Sequence, residues 1–240
     1  MTKLLCQKDS YTKSFAGTIN NFNNKGIVLD QTSFYPGGGG QPSDTGKITY
    51  KSETYKINRI SKISGEITHE IENFNPDQIQ INSKVSGQID WDRRYKLMRT
   101  HTALHIMCGI VWRDYNAPVT GGDMKPLTAR MDFELAEMSS TFAREIEEKV
   151  NFEIQSKRNI TIDFIPREKA LKIPDLIRTK ANLIPDSIDI IRTVNIENLD
   201  LQADGGTHVN NTIEVGKVRV VGHESKGKIN KRIRIEILND

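Results

Sequence analysis

The chain has 240 residues, 36% of them hydrophobic and 27% charged, with a formal net charge of +3. That composition is ordinary for a globular protein and allows one large domain or two modest ones. No apolar run approaches the ~20 residues of a membrane-spanning helix, and the mild charge permits a polyanionic partner without requiring one. The N-terminal MTKLLCQKDSYTKSF carries no apolar core of a signal peptide. The two cysteines, Cys6 and Cys108, give no disulfide framework and fit a reducing cytoplasm.

Residues 1–88 read as β-rich. GIVLDQTSFYP, GKITY, YKINRI and QIQINSKVSGQID are β-branched or aromatic runs between Gly, Asn, Ser and Asp. They predict a small barrel or sandwich with GGGGQPSDTG as a loop inside it. The texture changes at Asp90. From Asp92 to Tyr115, apolar or weakly polar residues fall at 97, 98, 101, 104, 105, 108, 111, 112 and 115, the stripe of an amphipathic helix. Asp90 or Asp92 is its N-cap, and Pro118 with Gly121-Gly122 ends it. LTARMDFEL then reads as a strand and Ser140–Lys157 as a second amphipathic helix. ITIDFIP is a strand, and Arg167–Leu171 begins a short helix. SIDIIRTVNI, KVRVVGH and KRIRIEIL are further strands. The fold class is therefore α+β: a small N-terminal β-barrel-like domain (1–88), then an α+β domain (89–240) with a mainly antiparallel sheet.

HTALH puts His101 and His105 on one face of the predicted helix. Two buried imidazoles are costly unless each ring nitrogen finds a partner, and a shared divalent ion satisfies both. The alternative is a pair of core histidines bonded to backbone or water. In the H-E-x-x-H peptidase motif the glutamate is the general base. Thr102 stands there in this chain, which deprives the peptidase reading of its base and disfavours it. Two ligands do not complete a tetrahedral site. Asp204 and His208, in LQADGGTHVNN, are the remaining candidates, because His69 and His223 have no companion ligand nearby in sequence. Asp204-Gly205 by itself is a tight hairpin-turn signal with glycine at φ > 0.

H-x-x-x-H followed about a hundred residues later by D-G-G-T-H resembles the AlaX family, free-standing relatives of the alanyl-tRNA synthetase editing domain. TSFYPGGGGQPSDTG (32–46) is similar to the family's glycine-rich motif, DWDRRYKLMRTHTALH (90–105) to its first metal motif, and QADGGTHV (202–209) with TIEVG to its second. KGKINKRIRI (226–235) fits its closing strands. The resemblance thus spans nearly the whole chain and is closest to the medium-length members. It implies hydrolysis of tRNA(Ala) mischarged with serine, and of the glycine-charged form, at a Zn2+ site held by His101, His105 and His208. The synthetase pattern has cysteine where this chain has Asp204. Aspartate is a harder ligand than thiolate. It either ligates or leaves that position to water, and in the second case it orients the attacking water. Cys108 reads as a small core hydrophobe rather than a substitute thiolate.

A pocket for alanine rejects an added hydroxyl poorly, whereas a second site that hydrogen-bonds the serine hydroxyl refuses alanine strongly. Such a site needs a hydroxyl or carboxylate sensor beside the metal, for which Thr32 is the first candidate and Gln41 the second. Gly38, Gly39 and Gly40 would bring backbone N–H groups to the acceptor end. GGGGQP is not followed by the helix start and lysine of a phosphate-binding loop, and its GGQ is too short to assign the chain to the peptide-release factors. Arg93, Arg94, Lys226, Lys228 and Arg232 are the candidate contacts to tRNA phosphates, which would be salt-sensitive and sequence-blind. A non-catalytic tRNA-binding module that retains the fold is the competing reading, favoured by Asp204.

Overall fold

The computed structural model describes residues 2–136, 139–178, 188–227 and 229–238. The chain divides into two compact units, Met1–Tyr95 and Lys96–Asp240.

The first unit contains β1 (Lys3–Leu4), β2 (Ser14–Asn23), β3 (Gly26–Leu29), β4 (Gln31–Thr32), β5 (Gly46–Tyr50), β6 (Glu53–Ile63), β7 (Glu66–Ile71) and β8 (Lys84–Ile89). Six of these close into a barrel in the order β2-β3-β7-β6-β5-β8. The closure leaves no exposed sheet edge. Alternation along β8, with Val85 and Ile89 inside and Lys84 and Gln88 outside, shows the period of 2 that a half-buried strand requires. Phe15, Ile19, Ile27, Leu29, Phe34, Ile48, Ile57 and Ile60 fill the interior. Gly87 is required by packing: a Cβ there would lie 2.2 Å from the Phe15 ring. The strand expected from Gln78 begins only at Lys84. Pro76–Gln78 is a 3-10 turn capped by the Asn75 side chain, because Pro76 suits the first turn of a helix and supplies no ladder donor.

The glycine run is an ordered turn. Gly38 N donates to Gln41 O at 3.0 Å, and Gln41 N donates to Gly38 O at 2.9 Å. Gly39 and Gly40 form the two-residue loop with φ of 57° and 87°. Positive φ at both central positions is the requirement of the hairpin turn that matches strand twist.

The second unit takes in most of α1 (Trp91–Tyr115), then β9 (Val119–Lys125), β10 (Thr128–Glu134), α2 (Ser140–Gln155), β11 (Ile160–Pro166), α3 (Arg167–Ala170), β12 (Ile190–Ile196), β13 (Asp200–Ala203), β14 (Val218–Ser225) and β15 (Asn230–Ile237). Two antiparallel sheets form, β14-β15-β10-β9 and β11-β12-β13. Asp90 caps α1 by accepting from Arg93 N at 3.1 Å, and Ser139 caps α2 by accepting from Phe142 N.

α1 ends at Tyr115, ahead of Pro118 as expected, and Gly121-Gly122 lies inside β9, opposite Asp132 and Met131. The apolar stripe of α1 is too narrow a description, since every residue from Thr100 to Val111 is buried. The helix is enclosed on several sides. Gly109 lies against Leu199 and Asp200, Thr100 accepts from Leu127 N, Thr102 from Val209 N, and Arg99 donates to Val215 O.

Candidate metal centre

Helical spacing brings His101 and His105 together, with ring centroids 5.0 Å apart. The segment after β13 adds His208, whose ring stacks on His101 at 4.3 Å and meets His105 at 4.7 Å. Asp204 completes the group. The ligand atoms of His101, His105, Asp204 and His208 all lie within 4.8 Å of one another.

The turn that presents His208 differs from the expected hairpin. Gly205 is not at positive φ, and β13 pairs with β12 rather than with a following strand. The chain reverses instead through the Asp204 side chain, whose Oδ2 accepts from Gly206 N at 2.7 Å. This is an Asx turn, in which the carboxylate imitates a backbone carbonyl.

His105 and His208 are each oriented by what the other ring nitrogen meets. His105 Nδ1 lies 3.0 Å from Asp200 Oδ2. That oxygen also accepts from Gln202 Nε2 at 2.7 Å, while Oδ1 of the same carboxylate stands 2.6 Å from Arg178 Nη1. A carboxylate only accepts, so His105 carries its proton on Nδ1 and turns Nε2 toward the cluster. His208 Nδ1 lies 3.1 Å from Thr102 Oγ1, with Nε2 3.0 Å from Asp204 Oδ2. His101 Nε2 is 3.7 Å from Asp204 Oδ1, and its Nδ1 is buried with no hydrogen-bond partner. Sequence reasoning treated Thr102 only as a missing glutamate and passed over Asp200, Gln202 and Arg178.

Burial holds His101 well below its usual range and pushes His208 down to about 4. Both rings are therefore neutral at pH 7, the form that coordinates a cation. For His105, burial is again the largest single influence and acts downward, but the Asp200 hydrogen bond and the charges of Asp200 and Asp204 together outweigh it, and its pKa is raised. Burial alone would raise Asp204. The surrounding imidazoles reverse that and keep it well below the carboxylate range. Arg192 adds a 2.7 Å bond from Nη1 to Asp204 O. Three imidazole nitrogens and one carboxylate oxygen suit a divalent metal of the zinc type. Burial and the charge of Asp200 push the Cys108 thiol up to about 12, so it stays a neutral core group.

The remaining candidate residues fall elsewhere. Thr32 is fully buried. Its Oγ1 accepts from Phe34 N at 3.2 Å and lies 2.8 Å from His69 Nε2. Because His69 Nδ1 faces Ile27 O, its Nε2 is the acceptor and the Thr32 proton is committed to it. Thr32 thus has no surface for a substrate hydroxyl, and Gln41, 2% exposed, offers almost none. Gly38, Gly39 and Gly40 are exposed. Arg94 is removed from the phosphate-contacting set. It is 0% exposed, pairs with Asp44, and donates to Ser10 O and Ser33 O. A guanidinium so enclosed is a structural clamp. Arg93 donates to Ser43 O. Arg232 grips Asp132 with two bonds of 2.7 Å, which occupies its fork. Lys226 is exposed beside Glu224, and Lys228 lies outside the described residues.

Residues 5–93 match the family model of class II (A) tRNA synthetases. Residues 191–234 match the threonyl and alanyl tRNA synthetase second additional domain. The chain is 40% identical to the alanyl-tRNA editing protein AlaX-M of Saccharolobus solfataricus over 97% of this chain and 98% of the relative. It is 36% identical to the protein of the same name from Methanosarcina barkeri over the full length of both. It is also 34% identical to the alanine–tRNA ligase of Pyrococcus abyssi, over 93% of this chain but 24% of the ligase.

Proposed function

Because the chain belongs to the AlaX-M family of alanyl-tRNA editing proteins, we propose that it hydrolyses tRNA(Ala) mischarged with serine, and the glycine-charged form, at a zinc site in the cytoplasm. In this reading residues 1–88 form a β-rich domain with the glycine-rich loop, and 89–240 the metal-binding editing domain. The carrying observation is the convergence of His101, His105, Asp204 and His208 within 4.8 Å, at positions anchored by Asp200 and Thr102.

His101, His105 and His208 would hold the metal through Nε2. A bound zinc ion would supply Lewis-acid polarisation of a carbonyl or a water of lowered pKa. The chain's own groups do the rest. Asp204, ionised at neutral pH, accepts a hydrogen bond from the attacking water and aims its lone pair at the ester carbonyl carbon. The buried rings exclude bulk water. The acyl–oxygen bond breaks, the tRNA ribose oxygen departs with a proton, and the free amino acid is released. An aminoacyl ester is already activated, so this modest assistance suffices. Gly38–Gly40 remain the substrate-facing part of the glycine loop, and Arg93 and Lys226 the phosphate contacts.

The test is deacylation of Ser-, Gly- and Ala-tRNA(Ala) by chelator-treated protein with and without added zinc. Release of serine that needs zinc and is lost in His101→Ala and His208→Ala supports the reading. Tight tRNA binding without hydrolysis in any condition would replace it by the non-catalytic binding module.

A further inference from the structure

We propose that Phe164 and Ile190 form an apolar platform on which the unpaired terminal base of the tRNA acceptor end stacks while its aminoacyl group lies at the histidine cluster. The inference rests on the editing function proposed above and names a subsite for it.

Register defines the platform. Residues directly opposite in an antiparallel pair share a face. Phe164 pairs with Arg192, Pro166 with Ile190, Ile162 with Val194 and Ile160 with Ile196. Along β12 this face is closed at one end and open at the other: Val194 and Ile196 are 0% exposed, Arg192 7% and Ile190 52%. The opening begins at Arg192, the residue that donates to Asp204 O. Phe164, 44% exposed, stands directly across from it. Phe164, Arg192 and Asp204 thus lie in one row across three adjacent strand segments, since Asp204 N donates to Arg192 O at 3.2 Å, and the face emerges into solvent at Ile190, one residue pair away from the contact to Asp204.

The opposite face of the same strands is already covered. Ile191 and Ile165 pack there with Ala170, Leu176 and Ile173. Phe164 is not the margin of that core, and its exposed ring needs a different partner. A nucleobase has the right shape and chemistry, being flat, apolar on its faces and polar at its edges. Single-stranded RNA ends are gripped by stacking on aromatic rings, with little regard to sequence. A second copy of the chain fits less well, since one ring flanked by Ile190 and Pro166 is far smaller than the ~800 Å2 per partner of a stable interface.

The probe is a tRNA(Ala) whose 3′-terminal adenine is replaced by 2-aminopurine, with steady-state deacylation of Ser-tRNA(Ala) alongside. Wild type should quench the 2-aminopurine. Phe164→Ala should abolish the quench and raise KM about tenfold, equivalent to about 1.4 kcal/mol of lost stacking, with the effect on KM rather than kcat. Phe164→Trp should keep both signals, and Phe164→Leu, which retains apolar bulk, should still lose the quench. An unchanged quench and KM in a folded Phe164→Ala, while wild type deacylates normally, overturns the platform and leaves the editing function standing. A wild type that fails to deacylate Ser-tRNA(Ala) overturns the function itself. A wild-type dimer that Phe164→Ala dissociates overturns the platform by giving this face to a second copy.

Discussion

Replacing Asp200 by asparagine tests the logic of the proposed metal centre away from its candidate ligands. Asp200 Oδ2 receives His105 Nδ1 at 3.0 Å and Gln202 Nε2 at 2.7 Å, and Oδ1 stands 2.6 Å from Arg178 Nη1. An asparagine keeps one acceptor oxygen and puts an NH2 in place of the other. It cannot serve His105 and Arg178 together. Loss of an outer partner of a metal-binding histidine lowers metal affinity about 10–100-fold. Leaving Arg178 without its buried counter-ion costs about 3–5 kcal/mol of stability. At about 2–4 °C per kcal/mol, melting of the metal-free protein should fall by about 10 °C. Zinc affinity is read by competition with a chromophoric chelator, and the His105 tautomer by 15N NMR. Arg178→Met separates the two effects, because it weakens the fold but leaves the His105–Asp200 bond. A folded Asp200→Asn protein with wild-type zinc affinity and an unchanged His105 tautomer would refute the reasoning.

The metal-free protein should lose stability as pH falls from 6.5 towards 4. His208 drops from 6.5 to about 4 on folding, so the unfolded chain binds more protons in that window. The loss is about 3 kcal/mol from this residue, with His101 adding in the same direction; denaturant titrations of metal-free protein across that range measure it. His105, raised on folding, acts in the opposite sense and only above pH 6.5. Arg94→Met should destabilise by about 3–5 kcal/mol by stranding buried Asp44, yet leave the salt dependence of tRNA binding unchanged, as a plot of log affinity against log salt would show. Gly40→Ala, at φ of 87°, should cost about 1–2 kcal/mol, seen as a lower melting temperature; no loss would mean that the turn relaxes freely.

What the sequence made legible was periodic or local. HTALH on a helix, KRIRIEIL as a strand with Arg232 and Arg234 opposite Ile233 and Ile235, and the β-rich first part all follow from spacing alone. The partners that organise the site do not. Asp200 reaches His105 across 95 residues because β12 and β13 pair with Asp200 opposite Ile196. That register is decided by the packing of the whole sheet. Arg94 was misread for a related reason. Within a run of basic residues nothing local separates a solvated arginine from one enclosed by Ser10, Ser33 and Asp44. The enclosing groups come from distant loops.

Asp204 illustrates how a departure from a family pattern becomes intelligible once geometry is known. A cysteine offers one sulfur, whereas aspartate offers two oxygens, and here they have different neighbours. Oδ2 is engaged in the turn by Gly206 N at 2.7 Å and faces His208 Nε2 at 3.0 Å. Oδ1 is directed at His101 Nε2 from 3.7 Å. One carboxylate can thus shape the loop that presents His208 and still offer an oxygen to a metal or a water. Replacing Asp204 by cysteine supplies a softer ligand but removes the Asx turn, so gain in zinc affinity and loss of loop order should appear together. Replacement by asparagine keeps the turn and removes the charge. If Asn binds zinc nearly as well as Asp but hydrolyses Ser-tRNA(Ala) poorly, the carboxylate acts on water. If zinc affinity falls with activity, it acts as a ligand.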